Sequence, residues 1–214
     1  MSLNFDVVRV IMVVVVSYLL GSLPTGYLIG RLKKVNIFEV GSGNMGSTNV
    51  VRSMGCAWGI VVAVCDILKG VAAIYIATLI LSDNRTLATL LAASVVIVGH
   101  NWSLFVAIIT GTLRGGKGAA TAFGTMLMIA PFQLIAVVCL IGALLVALTR
   151  YVSLGVLAML TVTTLWVFVL IGQRALPWEY GLYTVFVAGV MLWRFRGNIQ
   201  RLLAGTERRL GERG

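Results

Sequence analysis

Apolar runs of membrane-spanning length alternate with short polar connectors along the whole chain. Residues 7–30 form the first run. Gly21, Ser22 and Pro24 within it predict a local kink. Gly26-x-x-x-Gly30 offers a small-residue face for close packing. The run is too long for the apolar core of a secretory signal and lacks a small-residue cleavage site, so it reads as a retained helix. Residues 56–81 and 87–109 are the second and third predicted spans, joined by the tight polar turn 82–86. Residues 119–148 are apolar throughout. A single helix of that length would run about 45 Å, well beyond a ~30 Å hydrocarbon core. Pro131 divides the stretch, which predicts two segments, the first (119–130) short for a full crossing. Residues 152–172 give a sixth segment and 180–193 a short seventh, with Trp178, Tyr180, Tyr183 and Trp193 as interfacial anchors.

Composition agrees with this pattern. The 214 residues are 59% hydrophobic and only 11% charged, where a soluble domain averages about 25% charged. The mean hydropathy is +1.00. The expected architecture is an all-α polytopic membrane protein of about seven transmembrane helices, forming a single membrane domain over residues 1–214. The net charge of +10 lies largely in the connectors and the tail. Arg31, Lys33 and Lys34 follow the first span; Arg150, Arg194, Arg196, Arg201, Arg208, Arg209 and Arg213 come later. Positive-inside counting puts all of them in the cytoplasm, the N-terminus outside and the C-terminus inside. It also favours dividing the stretch at Pro131, since a single crossing would leave the basic tail outside. No soluble module carries the basic charge, so nucleic acid is not an expected partner. Cys56, Cys65 and Cys139 have no metal or disulfide spacing, and His100 is the single histidine. Neither a metal nor another cofactor is expected.

Two connectors carry candidate chemistry, and both fall on the predicted cytoplasmic face. The first is Gly41-Ser-Gly-Asn-Met-Gly-Ser-Thr-Asn49, followed by Arg52. Glycines let backbone N–H groups converge on an anion, and Ser42, Asn44, Thr48 and Asn49 add polar groups. Arg52 supplies a planar fork suited to phosphate. The second is Thr110-Gly-Thr-Leu-Arg114-Gly-Gly-Lys117-Gly118, again glycine, hydroxyl and cation. Gly, Ser and Asn also dominate ordinary connectors. Two such segments on one face, beside apolar spans that suit an acyl chain, point to lipid phosphate chemistry. Ser153, Arg194, Arg196 and Asn198 extend the set of polar and cationic groups.

Asp66 and Lys69 are one turn apart within a span and share a face. Ionisable residues there are costly and usually functional. The pair reads either as chemistry or as a mutually neutralising brace for the first loop. His100 reads either as a base or as an interhelical hydrogen-bond partner. There is no G-x-S-x-G elbow and no H-x-x-x-x-D motif of soluble-type glycerolipid acyltransferases. The D-x-x-D-G-x-x-A-R pattern of CDP-alcohol phosphotransferases is also absent. A phospholipid enzyme of this sequence would work largely by positioning and charge stabilisation. The competing classes are a small transporter or channel for organic anions and an inactive relative acting as a scaffold.

Gly41-Ser-Gly-Asn-x-Gly-x-Thr-Asn49, Arg52, Asp66-x-x-Lys-Gly70, Gly99-His100, Gly115-Gly-Lys-Gly118 with Ala-Ala-Thr121, Arg150-Tyr-Val-Ser153-Leu and Asn198-Ile-x-Arg-Leu-x-x-Gly-Thr-Glu207 occur in that order. Together they resemble the bacterial integral-membrane glycerol-3-phosphate acyltransferases that use acyl phosphate as donor, the PlsY family. The resemblance implies seven helices in the bacterial inner membrane with the active site facing the cytoplasm. It implies acyl transfer from a long-chain acyl phosphate to the 1-hydroxyl of glycerol 3-phosphate, giving lysophosphatidate and inorganic phosphate. A monomer embedded in membrane lipid is expected. By motif position, Ser42, Arg52 and Lys117 are the expected catalytic residues, with His100 the alternative base. Gly41, Gly43, Asn44, Gly46, Thr48, Asn49, Gly115, Gly116, Gly118, Ser153 and Asn198 are expected to bind substrate or phosphate. Asp66, Lys69, Arg194 and Arg196 are expected to support the site. The chain departs from the family pattern where Ser103 replaces a proline, in a loop about five residues longer before Gly115, and where Phe195-Arg-Gly-Asn198 replaces His-Arg-Glu-Asn.

Overall fold

The computed structural model describes residues 2–212, which form helices and connectors without a strand among them. In chain order the helices are α1 (Ser2–Ser22), α2 (Thr25–Leu32), α3 (Ser47–Met54), α4 (Cys56–Ile80), α5 (Arg85–Asn101), α6 (Leu104–Thr110), α7 (Ala119–Ile129), α8 (Phe132–Thr149), α9 (Val152–Gly172) and α10 (Glu179–Leu203). Five stretches are long and apolar enough to cross a membrane: Val7–Leu32, Cys56–Ile80, Arg85–Thr110, Phe132–Thr149 and Val152–Gly172. Ala119–Ile129 is a shorter apolar helix. Contacts divide the chain into two compact units, one running to Met128 and one beginning at Ile129.

In the first unit, α1, α4 and α5 pack together, with α2 and α3 on α4. The kink expected at Pro24 is present: α1 ends at Ser22 and α2 restarts at Thr25. Proline has no N–H to continue the ladder. A second break at Trp102 separates α5 from α6, and Ser103 caps the new helix, its Oγ accepting from the Val106 N–H at 3.2 Å. The same Ser103 hydroxyl donates to the Ser22 carbonyl at 2.5 Å, tying this break to the end of α1.

Glycines set how closely the helices approach. A Cβ on Gly21 would overlap the Val96 carbonyl, and one on Gly99 would overlap that of Tyr18, so α1 and α5 meet backbone to backbone. Gly70 and Gly124 make the same reciprocal contact between α4 and α7, against Thr121 and Ile67. In lipid, packing of this kind replaces the hydrophobic drive between helices. The Gly26-x-x-x-Gly30 face is closely packed, as expected, and its partner is a loop. Gly26 lies against the Met45 carbonyl and Gly30 against the Val35 carbonyl, so the face receives the polar loop that follows α2.

Helix direction fixes where the loops emerge. Arg9 near the start of α1 pairs with Asp83 in the α4–α5 turn at 2.9 Å. The α2–α3 loop and the α6–α7 loop therefore leave the first unit at its opposite end, on one side.

In the second unit α9 packs against both α8 and α10. The expected break at Pro131 is present: α7 ends at Ile129 and α8 begins at Phe132. Gly142 and Gly155 bring α8 and α9 together, Gly142 facing Met159 and Gly155 facing Val146. The last helix runs to Leu203 and not to residue 193. Apolar composition stops at Arg194, but Met191, Phe195 and Asn198 continue one buried helical face.

These contacts predict the effect of two glycine substitutions. Gly124→Leu must push α7 off the Ile67 backbone and should lower stability by about 1–3 kcal/mol. Gly189→Ala in α10, with open space around it, should leave stability unchanged or slightly raised. Thermal unfolding of the detergent-solubilised protein checks both.

Candidate active site

The first glycine-rich loop is built around Asn49. This side chain, 2% exposed, has its Nδ2 within hydrogen-bond range of the carbonyls of Ile37 and Val40 (both 3.1 Å) and Asn44 (2.8 Å). Its Oδ1 accepts from the Ser42 N–H at 2.8 Å. The chain curls around one amide. To do so, Gly41 and Gly43 take φ of 57° and 63°, the left-handed region open to glycine. A Cβ on Gly41 would also overlap Asn49 Oδ1. Asn49 is therefore the internal strut of the loop and not a direct donor to an anion, because its polar atoms are already engaged by the backbone.

The strut leaves Ser42 exposed at the loop surface, with Asn44, Gly46 and Thr48 half-buried beside it. Gly46 begins α3, and no side chain caps that end. The first N–H groups of a helix lack partners within it. Arg52 stands half-buried on α3, one turn after Asn49. Ser53 Oγ bonds back to the Asn49 carbonyl at 2.8 Å, fastening the same turn.

The second loop belongs to the same unit and approaches the first. The Arg114 guanidinium lies over the Phe38 ring, 4.0 Å from its centroid, so this cation docks on the first loop. Gly115, Gly116 and Gly118 are buried and Lys117 is half-buried. The Gly116 N–H donates to the His100 carbonyl at 3.0 Å. Gly118, with φ of 83°, passes so close to the Asn101 amide that a Cβ would stand 3.2 Å from its Nδ2.

Beneath this loop lies a buried polar cluster. Lys69 Nζ is 2.7 Å from Asp66 Oδ1, with both side chains 4% exposed. Lys69 also donates to the Leu23 carbonyl at 3.3 Å, at the Pro24 kink. His100 Nδ1 lies 3.6 Å from the same Asp66 oxygen. His100, only 3% exposed, is enclosed by Asp66 on one side and the Gly116 backbone on the other. The ring thus stands between α4 and the second loop, away from solvent. Asp66 and Lys69 neutralise each other, and Lys69 ties the pair to the Pro24 kink.

The second unit collects a different set. Glu207, 7% exposed, accepts from Ser153 Oγ (2.9 Å), Asn198 Nδ2 (2.6 Å) and Arg201 Nε (2.8 Å). The tail closes further along, where the Leu210 carbonyl accepts from Arg150 Nε (3.1 Å) and Nη2 (2.6 Å), and the Leu210 N–H donates to the Arg150 carbonyl. Ser153 and Asn198 are thus brought together, on one carboxylate. Arg194 and Arg196 stand beside Trp193, their guanidinium carbons 5.9 Å and 4.5 Å from its ring centroid. Phe195 is buried. Glu207 and Arg201 lie in the last motif quoted from sequence but were given no role at the site there. The available sign was the final Glu of the Asn198-to-Glu207 motif, an acid within a strongly basic tail.

A helical membrane protein with glycine-rich, cation-bearing loops on one side has the form of an integral-membrane enzyme for phosphorylated substrates. The profile of glycerol-3-phosphate acyltransferases matches residues 11–205. A glycerol-3-phosphate acyltransferase of Halalkalibacterium halodurans is 41% identical over 94% of this chain and 96% of its own. One from Thermus thermophilus is 43% identical over 92% and 93%. The crystal structure of PlsY (YgiH), an integral membrane glycerol 3-phosphate acyltransferase, in its glycerol 3-phosphate form superposes with a TM-score of 0.83 at 32% identity, covering 94% of this chain and 96% of that one. Its lysophosphatidic acid form superposes with a TM-score of 0.81. The chain belongs to the glycerol-3-phosphate acyltransferase family.

The Asn49 strut predicts a localised loss of order. Asn49→Ala strands several loop groups, each costing about 1–3 kcal/mol when left unsatisfied and buried. Hydrogen exchange should rise across residues 37–46 while α4 and α5 stay protected.

Proposed function

We propose that this protein transfers an acyl group from a long-chain acyl phosphate to the 1-hydroxyl of glycerol 3-phosphate. The products are lysophosphatidate and inorganic phosphate. The observation that carries this reading is the convergence of the first loop and the second loop on one side of one unit, through Arg114 on Phe38. Family membership and the glycerol 3-phosphate and lysophosphatidic acid forms of the PlsY structure support it.

In this mechanism Arg52, Lys117 and the loop N–H groups hold the two substrate phosphates near one another. Ser42, at the surface of the first loop, donates to the same charge. The acceptor hydroxyl oxygen attacks the acyl carbon, a C–O ester bond forms, and the carbon–oxygen bond to the donor phosphate breaks. The hydroxyl proton passes to a substrate phosphate oxygen, and the cations stabilise the leaving phosphate. An acyl phosphate is already activated, so a strong protein base is unnecessary. Within the second unit, Ser153 and Asn198 are substrate-binding positions by resemblance alone, and both donate to Glu207. No cofactor enters the reaction.

The same reading places α7 and α10 with the five long spans as seven membrane segments, N-terminus outside and C-terminus inside. The protein then sits in the bacterial inner membrane as a monomer, its loops facing the cytoplasm and its donor's chain among the apolar helices. An anion channel would need available polar groups through the depth of the bundle. The buried ions of α4 are instead closed on each other.

The test supplies purified protein in lipid mesophase with palmitoyl phosphate and glycerol 3-phosphate. Inorganic phosphate and lysophosphatidate should appear together and only with acceptor present; palmitoyl-CoA should not substitute as donor. Donor hydrolysis without acceptor dependence would reject the transfer reaction. Arg52→Ala and Lys117→Ala should each abolish turnover in folded protein, and wild-type rates in either would remove that residue from the site.

A further inference from the structure

We propose that His100 is a positioning residue: its imidazole carries the buried Asp66–Lys69 pair to the Gly115–Gly118 turn and so sets where Lys117 stands. The inference rests on the assignment of Lys117 to a substrate phosphate.

The contact is a direct one. His100 Nδ1 lies 3.6 Å from Asp66 Oδ1, and Lys69 holds that oxygen from the other side at 2.7 Å. The opposite edge of the ring meets the second loop. A Cβ on Gly116 would overlap His100 Nε2 and come within 2.6 Å of Cε1 and 2.8 Å of Cδ2. A Cβ on Gly115 would overlap the His100 carbonyl and stand 2.9 Å from the Asn101 carbonyl oxygen. The His100 carbonyl itself accepts the Gly116 N–H at 3.0 Å. Side chain and backbone of one residue therefore hold two successive glycines, and Lys117 is the next residue along.

This geometry separates positioning from proton transfer. A general base needs a ring nitrogen within reach of the substrate proton. Nε2 of His100 faces the Gly116 backbone, and Nδ1 faces a carboxylate. The two glycines are required because the ring and its carbonyl occupy the space of any side chain. The ion pair packs against the other edge of the ring and is itself anchored at Leu23 by Lys69. The position of the catalytic cation thus derives from an ion pair inside the first unit. Misplacing a reacting group by about 1 Å can cost about 10²-fold in rate.

The test is a double-mutant cycle with His100→Ala and Gly116→Ala in the full-length protein, assayed for acyl transfer. Gly116→Ala drives a methyl into the ring, and His100→Ala removes the ring while keeping the backbone hydrogen bond to Gly116. Each should lower kcat/KM by about 10²-fold, with a raised KM for glycerol 3-phosphate. Combined, the new methyl occupies space the ring has left, so the double variant should exceed the His100→Ala single and fall far short of the multiplied losses. The pH–rate profile should keep its wild-type shape in His100→Ala. Multiplicative losses, or a lost ionisation near neutral pH with KM unchanged, would overturn the proposal. Should His100→Ala fail to fold, His100→Asn enters the same cycle with the same criteria. Glycerol 3-phosphate affinity, measured by calorimetry on all four proteins, reads the coupling without acyl transfer. Coupling in affinity with a wild type that transfers no acyl group would keep the positioning role and reject the transferase reading. A wild type that transfers, with uncoupled variants, would do the reverse.

Discussion

The Asp66–Lys69 ion pair is the constraint around which the first unit is arranged. Two charges withdrawn from water survive only if they are paired and their remaining polar atoms are satisfied. Lys69 meets that requirement with a second bond to the Leu23 carbonyl, which the Pro24 kink frees from the helix ladder. Asp66 approaches the His100 ring with the oxygen that holds Lys69. The pair on α4 thus reaches the kink after α1 and the end of α5. The break in α1 and the charge in α4 explain each other: the kink offers a carbonyl, and the ammonium uses it.

The loops follow the same economy of support from below. Asn49 holds one glycine-rich loop from within, and His100 with Asn101 underlies the other. In both cases the chain comes too close for a side chain on the glycine, so the supporting residue and the glycines form one device. Ser42, Arg52 and Lys117 stand on these supported backbones with exposed or half-exposed side chains. A reaction that depends on holding two anions together needs its cations placed before the substrates arrive, and rigid loops do this.

Much of this was readable in the chain because its causes are local. Proline at 24 and at 131 ends a helix wherever it falls, and a spacing of three puts Asp66 beside Lys69. The motif residues could be picked out, but their division of labour could not. Asn49 and Ser42 are polar residues of one loop, and only the folded chain shows that one is the strut and the other the surface. Gly26 and Gly30 read as a close-packing face, but the sequence cannot say that a loop will lie on them. Residues 194–203 looked like a basic tail because hydropathy ends at Arg194. The helix continues there because Phe195 and Asn198 stay on a buried face. Glu207 gains its meaning from Ser153, 54 positions away.

That separation bears on how the protein is made. Ser153 emerges from the ribosome long before Glu207, at roughly 5–20 residues per second. Until the carboxylate arrives, the Ser153 hydroxyl and the Asn198 amide have no acceptor at that point, and Arg201 has no counter-ion there. The second unit therefore cannot lock during elongation of its own helices. It closes only once Glu207 and then Leu210 have reached the start of α9. A chain interrupted before residue 207 would hold α8, α9 and α10 without this fastening.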